Sequence, residues 1–153
     1  MLKISRLSLA TYREWESDIK TIISDSLIIN FPEEYINTNI IEDRCNSVIY
    51  YLKNKSAVIF IATEEEEFYG WVWCHLINRL SETRLHIAEI ATKEPYRGSG
   101  VGKRLIECVE EYAVQNKIKC IDLLVTASNE RALQFYKRQE FGVERLILKK
   151  ELR

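Results

Sequence analysis

Glycine and proline are scarce in this chain, with five Gly and two Pro among 153 residues, against averages of roughly 7% and 5%. That scarcity excludes collagen-like and linker-rich classes. A basic excess is also missing, because twenty-two Lys and Arg are set against twenty-three Asp and Glu for a formal charge of −1. No overall attraction to nucleic acid or to an anionic membrane surface follows from that balance, so any anion site must be local. No window approaches the length of a membrane span. The segment Met1 to Ala10 mixes Lys3 and Arg6 with short apolar stretches and lacks the continuous core of a signal peptide. Cys45, Cys74, Cys108 and Cys120 show no CxxC pairing, which argues against a zinc or redox site. His75 and His86 are too poorly supported by acidic neighbours to suggest a metal site. The expectation is a cytoplasmic, soluble, metal-free protein folded as one domain over residues 1–153.

What is present is a regular alternation of patterns. Leu2 to Leu9 reads as a short strand, although its alternation slips. Trp15, Ile19, Ile22, Ile23 and Leu27 recur at helical steps, and Thr11 stands before Glu14 at capping-box spacing, which predicts a helix from Thr11 to about Leu27. Phe31-Pro32-Glu33-Glu34 predicts a second helix start, continuing to Leu52. Ala57 to Thr63 and Phe68 to Leu76 form a predicted hairpin around the acidic turn Glu64 to Glu67, and Leu85 to Thr92 is the next strand. Val101 to Asn116 is an amphipathic helix, Cys120 to Thr126 a strand, Asn129 to Arg138 a short helix and Val143 to Leu152 a final strand. This order predicts an α/β chain whose first half is mostly antiparallel and whose second half contains a strand, helix, strand crossover.

Three of the five glycines, Gly98, Gly100 and Gly102, lie in one window between a strand and a helix. Glycines there let a ligand approach the unpaired amides of the helix start, and those amides favour phosphate. Arg97, Lys103 and Arg104 add positive charge. An ordinary strand-to-helix turn would be the plain alternative. A P-loop does not fit, because Arg97 stands where its first glycine belongs and Arg104 where its hydroxyl belongs. The dinucleotide fingerprint fails too, with Lys103 at its third glycine position.

The pattern Arg or Gln, x, x, Gly, x, Gly or Ala does fit, through Arg97, Gly100 and Gly102. A second block, Asn129, Ala132, Phe135 and Tyr136, followed by Phe141, agrees with it. Together these motifs resemble the GNAT superfamily of acyl-CoA-dependent N-acetyltransferases, from Leu85 to about Leu152. The resemblance implies a mixed, mostly antiparallel twisted sheet with a V-shaped splay between the fourth and fifth strands, flanked by about four helices. It also implies that acetyl-CoA binds in that splay. Backbone of Ile90, Ala91 and Thr92 would meet the pantetheine, and Arg97, Gly98, Ser99, Gly100, Val101, Gly102 and Lys103 would hold the pyrophosphate. Asn129 would cap the following helix and touch the cofactor. A small-molecule or peptide amine would be the acceptor, with no nucleic acid or membrane involved, and homodimers are common among such proteins.

The family's general acid corresponds to Tyr136, whose plain alternative is a core-lining aromatic. Glu89, the only acid between Leu85 and Thr92, is the candidate base, against a structural acid, His75 or a water relay. Alternation puts Glu89 on the face of Ile87 and Ala91. Trp71, Trp73, Tyr69 and Tyr12 fit either an acceptor pocket or the core, and Glu33, Glu34 and the Glu64 to Glu67 turn either attract a cationic amine or are simply solvated. Glu140 departs from the family's pattern, which has Gly before the Phe, so the turn there is expected to shift or lengthen. A catalytically silent acyl-CoA-binding module is the rival reading.

Overall fold

A computed structural model describes residues 1–152. Strand β1 (Lys3–Arg6) leads into helices α1 (Leu9–Asn30) and α2 (Thr38–Lys53). Strands β2 (Ala57–Glu64), β3 (Glu67–Arg79) and β4 (Glu82–Thr92) follow, then α3 (Val101–Gln115), β5 (Ile121–Leu123) and α4 (Glu130–Arg138). The strands form one sheet in the order β1-β2-β3-β4-β5. Every pairing is antiparallel except that of β4 with β5.

Two apolar layers sandwich this sheet. On one face Ile19, Ile22 and Ile23 of α1 and Val48 of α2 pack on Ile59, Trp71 and Trp73. On the other, Val101, Leu105, Ile106 and Val109 of α3 pack on Val58, Phe60, Val72 and Ile87. Burying one such aliphatic side chain contributes about 1.5–3 kcal/mol, so these stripes, rather than intrinsic helix propensity, hold the helices in place. The β2 strand is buried along nearly all its length because both layers cover it.

The strand β4 parts from β5 early. Their ladder contains only Leu85 with Ile121, His86 with Asp122 and Ile87 with Leu123. From Ala88 to Thr92 the β4 edge facing β5 has no strand partner among the described residues, which is the V-shaped opening the resemblance implies.

Several boundaries differ from the sequence reading. Helix α1 begins after Ser8, whose side chain and that of Thr11 cap each other's backbone, so the capping box is Ser8 to Thr11 and not Thr11 to Glu14. Pro32 ends a helix instead of starting one. The residue before a proline is pushed out of the α region, and Phe31 sits at φ −129°, ψ 62°. Asn37 then caps α2 by accepting from the Ile40 amide at 3.0 Å. The predicted strand Val143 to Leu152 forms no ladder among the described residues. Glu144 is drawn into a double hydrogen bond with Arg84 at 2.8 Å, and Leu146, Ile147 and Leu148 remain exposed. Alternation describes a segment able to join a sheet, but the sheet edge must also be offered.

Candidate active site

The site grows from a break in the pleat of β4. Trp73 pairs with Glu89 but Cys74 pairs with Ile87, which leaves Ala88 as an extra residue. A bulge of this kind moves every later side chain to the opposite face. Ile87 and Ile90 accordingly lie with the α3 layer, whereas Ala88 and Ala91 lie with the α1 and α2 layer. Glu89 is therefore not on the face of Ile87, as plain alternation predicts. It points among the tryptophans of β3, where Trp71 Nε1 donates to its Oε1 at 3.1 Å. Arg44 of α2 approaches Oε2 to 3.7 Å through Nη2, and its guanidinium lies 4.6 Å from the Trp73 ring centroid.

Glu89 is 9% exposed. Burial pushes its carboxyl up to about 7, against the opposing pull of the Arg44 charge and the Trp71 hydrogen bond. It thus titrates in the neutral range, where a group can both take and release a proton.

Tyr136 comes to the same place from α4. Burial first, and the negative charge of Glu89 second, push its phenol up to about 12. Its helix ends in a Schellman turn, in which the Phe141 amide donates to the Tyr136 carbonyl at 3.0 Å and the Glu140 amide to Lys137 at 3.1 Å. The Tyr136 and Phe141 rings pack edge to face across this turn with centroids 5.7 Å apart. The turn is neither shifted nor lengthened. Glu140 itself adopts the left-handed conformation, φ 63°, that a glycine would take at no steric cost.

The glycine window lies at the open end of β4. Gly98 and Gly100 have φ of 83° and 89°, and Gly100 is the residue preceding the first turn of α3. The first amide of that turn to find a helical acceptor is Arg104, on the Gly100 carbonyl at 3.1 Å. The amides of Val101, Gly102 and Lys103 are left directed out of the helix start, a geometry suited to phosphate. Arg97 anchors the loop by donating from Nε to the Thr92 carbonyl at 3.2 Å. Tyr96 is tied to Glu67 and stacks on Tyr69 with centroids 3.8 Å apart, bracing the loop from beneath. At Gly102 a methyl group would stand 3.2 Å from the Phe135 ring, so the missing side chain lets α4 close against α3.

Asn129 caps α4, accepting from the Ala132 amide at 3.1 Å, and its Nδ2 donates to Asn30 Oδ1 at 3.0 Å. Thr126 donates to the Asn30 carbonyl at 3.0 Å. The end of α1 is thereby fastened to the segment that follows β5, across the opening. Ile90, Ala91 and Thr92 line the unpaired β4 edge.

Other candidates fall elsewhere. His75 pairs with His86, on the stretch of β4 still bonded to β5, and packs against the Tyr51 ring at 4.5 Å. Trp71, Trp73 and Tyr12 are fully buried core residues, though Trp71 also serves Glu89. Glu64 is engaged by Tyr69 and the N-terminal amine. Arg44 was not singled out in the sequence; its signal is a charge on the apolar stripe Ile41, Cys45, Val48 and Leu52 of α2.

Comparison with known proteins bears on the family and the fold. The family model described as the Acetyltransferase (GNAT) family matches residues 13–141. The uncharacterized N-acetyltransferase YycN of Bacillus subtilis is 27% identical over 88 residues, 58% of this chain and 56% of that protein. The chain spans less than two thirds of the length of the curated relatives it matches first, 56% and 62%. Among solved structures, the tetramutant of BH1408 from Bacillus halodurans superimposes with a TM-score of 0.82 at 17% identity, covering 98% of this chain and 99% of that one. A Clostridium acetobutylicum protein described as a predicted acetyltransferase with acetyl-CoA gives a TM-score of 0.77 at 17% identity, covering 99% and 96%. Both share the fold. With the family model spanning most of its length, the chain belongs to the GNAT family of acetyltransferases.

Proposed function

We propose that this protein is an N-acetyltransferase that moves the acetyl group of acetyl-CoA to a primary amine by direct attack, with no covalent enzyme intermediate. One juxtaposition supports the reading: a buried carboxyl and a half-buried phenol, Glu89 and Tyr136, near enough for the charge of one to shift the other, beside the unpaired β4 edge and the glycine loop. Amine attack on a thioester requires a neutral amine, a stabilised oxyanion and a protonated leaving group. Glu89 takes the amine proton. The backbone of Ile90, Ala91 and Thr92 binds the pantetheine in strand fashion and helps polarise the thioester carbonyl. The loop Arg97, Gly98, Ser99, Gly100, Val101, Gly102 and Lys103 holds the pyrophosphate, and Asn129 fixes the start of α4 beside it.

The two reacting groups are coupled in a useful direction. Tyr136 is held protonated, ready to donate, partly by the negative charge of Glu89. When Glu89 accepts the amine proton that charge disappears, and Tyr136 becomes a stronger acid in the step where the CoA sulfur needs its proton. Retention of both groups favours catalysis over a silent binding module.

The test is incubation with acetyl-CoA and a panel of polyamines, aminoglycosides and lysine peptides, following thiol release and acetyl addition by mass spectrometry. Acetylation of at least one amine is expected. Binding of acetyl-CoA with no thiol release from any amine would replace the enzyme by the silent module.

A further inference from the structure

We propose that Arg44 is a positioning residue for Glu89: from α2 its guanidinium keeps the carboxylate charged in a buried place while leaving Oε2 free to receive a proton. This rests on the reading of Glu89 as the general base. The two carboxylate oxygens have different partners. Oε1 accepts a 3.1 Å hydrogen bond from the Trp71 indole, a neutral donor that fixes the carboxylate plane. Oε2 has Arg44 Nη2 at 3.7 Å, a separation too long for a hydrogen bond but short for a charge interaction in a buried setting. The lone pairs of Oε2 are therefore not consumed by the group that stabilises its charge.

The groups facing Glu89 can be taken element by element. Arg44 and Cys45 come from α2, Trp71 from β3 and Tyr136 from α4. Burial pushes the Cys45 thiol and the Tyr136 phenol upward, so both stay neutral near pH 7. Glu16 and Lys20 of α1 act on Cys45, one contact further away. Arg44 is thus the one cation beside the carboxylate among the described residues. An arginine suits the task because it does not give up its own proton, so it cannot compete for the one that Glu89 receives. Its bed on the Trp73 ring, 4.6 Å from the centroid, fixes the guanidinium without an acceptor that would draw it away. The same charge disfavours an ammonium at Oε2 and so favours arrival of the amine in its reactive neutral form.

The experiment is a carbon-13 NMR titration of glutamate side-chain carboxyls in the full chain, with the Glu89 signal assigned by its loss in E89Q. The wild-type midpoint is expected near 7. In R44Q it should rise by about one to three pH units, the usual effect of losing an opposite charge at this range, and R44K should bring it part of the way back. Arg44→Met, which keeps the apolar stem on Trp73, gives the same reading should the glutamine variant not fold. An unchanged midpoint in a folded R44Q or R44M protein overturns the role of Arg44. Failure of the base reading is recognised separately, by E89Q retaining full turnover on the amine found in the panel.

Discussion

Replacing Glu89 by Gln is expected to stabilise the protein, by an amount that grows with pH. In the unfolded chain this carboxyl loses its proton near its ordinary value of 4.5, whereas in the folded protein it does so at about 7. Between those values the folded state holds a proton that the unfolded state has released, so stability falls as pH rises through that window. Below 4.5 the group costs nothing, and above about 7 the full cost is present. At about 1.4 kcal/mol for each pH unit, that cost is about 3 kcal/mol. Glutamine matches the protonated acid in shape, accepts the Trp71 hydrogen bond and never ionises, so it escapes the cost altogether. Urea unfolding of wild type and E89Q, followed by tryptophan fluorescence at about pH 5 and about pH 8.5, isolates this one group because every other titration is common to both proteins. The advantage of E89Q should be small at the lower pH and approach about 3 kcal/mol at the higher, roughly 6–12 °C in Tm for a chain of this size. An equal difference between the two proteins at both pH values would refute the buried, raised carboxyl. Loss of turnover in the same variant would show that the strained proton site is kept for its chemistry.

Three further outcomes follow from the site. Gly100→Val puts a branched side chain at φ 89°, a conformation costing an L-residue about 1–2 kcal/mol; acetyl-CoA affinity measured by calorimetry should fall at least about tenfold, and an unchanged Kd would remove the loop from cofactor binding. Tyr136→Phe should lower turnover by about 100-fold with acetyl-CoA affinity unaltered, and an undiminished rate would refute its role as acid. Glu140→Gly relieves a left-handed residue at φ 63° and should stabilise the fold by about 1 kcal/mol, raising Tm by about 3 °C in a thermal melt; a lower Tm would mean that the Glu140 side chain contributes more than its backbone strain costs.

What could be read from the sequence was whatever repeats with a fixed period. The α3 stripe of Val101, Leu105, Val109 and Ala113 stands one residue from its predicted end, and the glycine window lies at the helix start where its neighbours required it. The face of Glu89 could not be read, because the bulge at Ala88 is set by the register of β3 against β4, a relation between distant segments. Arg44 was hidden for a similar reason: one charge on an apolar helix stripe has meaning only once Glu89 and Trp73 are seen beneath it. The end of α4 failed differently. The expectation that Glu140 would displace the turn assumed that backbone comfort decides, whereas the two closing hydrogen bonds and the packing of Tyr136 on Phe141 outweigh it. Val143 to Leu152 carries a strand pattern, yet β5 extends for only three residues and the Arg84 to Glu144 contact holds the start of that segment.

The extra residue in β4 acts as a change of reading frame. Before it, odd-numbered side chains, Leu85 and Ile87, build the layer under α3; after it, odd-numbered Glu89 and Ala91 belong to the opposite side. One strand therefore carries two messages, packing in its first half and proton chemistry in its second, and Ala88 is the spacer between them. Were the same residues, Ala88 included, paired with β3 in one unbroken frame, every functional side chain would be present but Glu89 would turn toward the aliphatic layer of α3 and Ile90 toward the tryptophans. The site is written in the count of residues along β4 as much as in their identities.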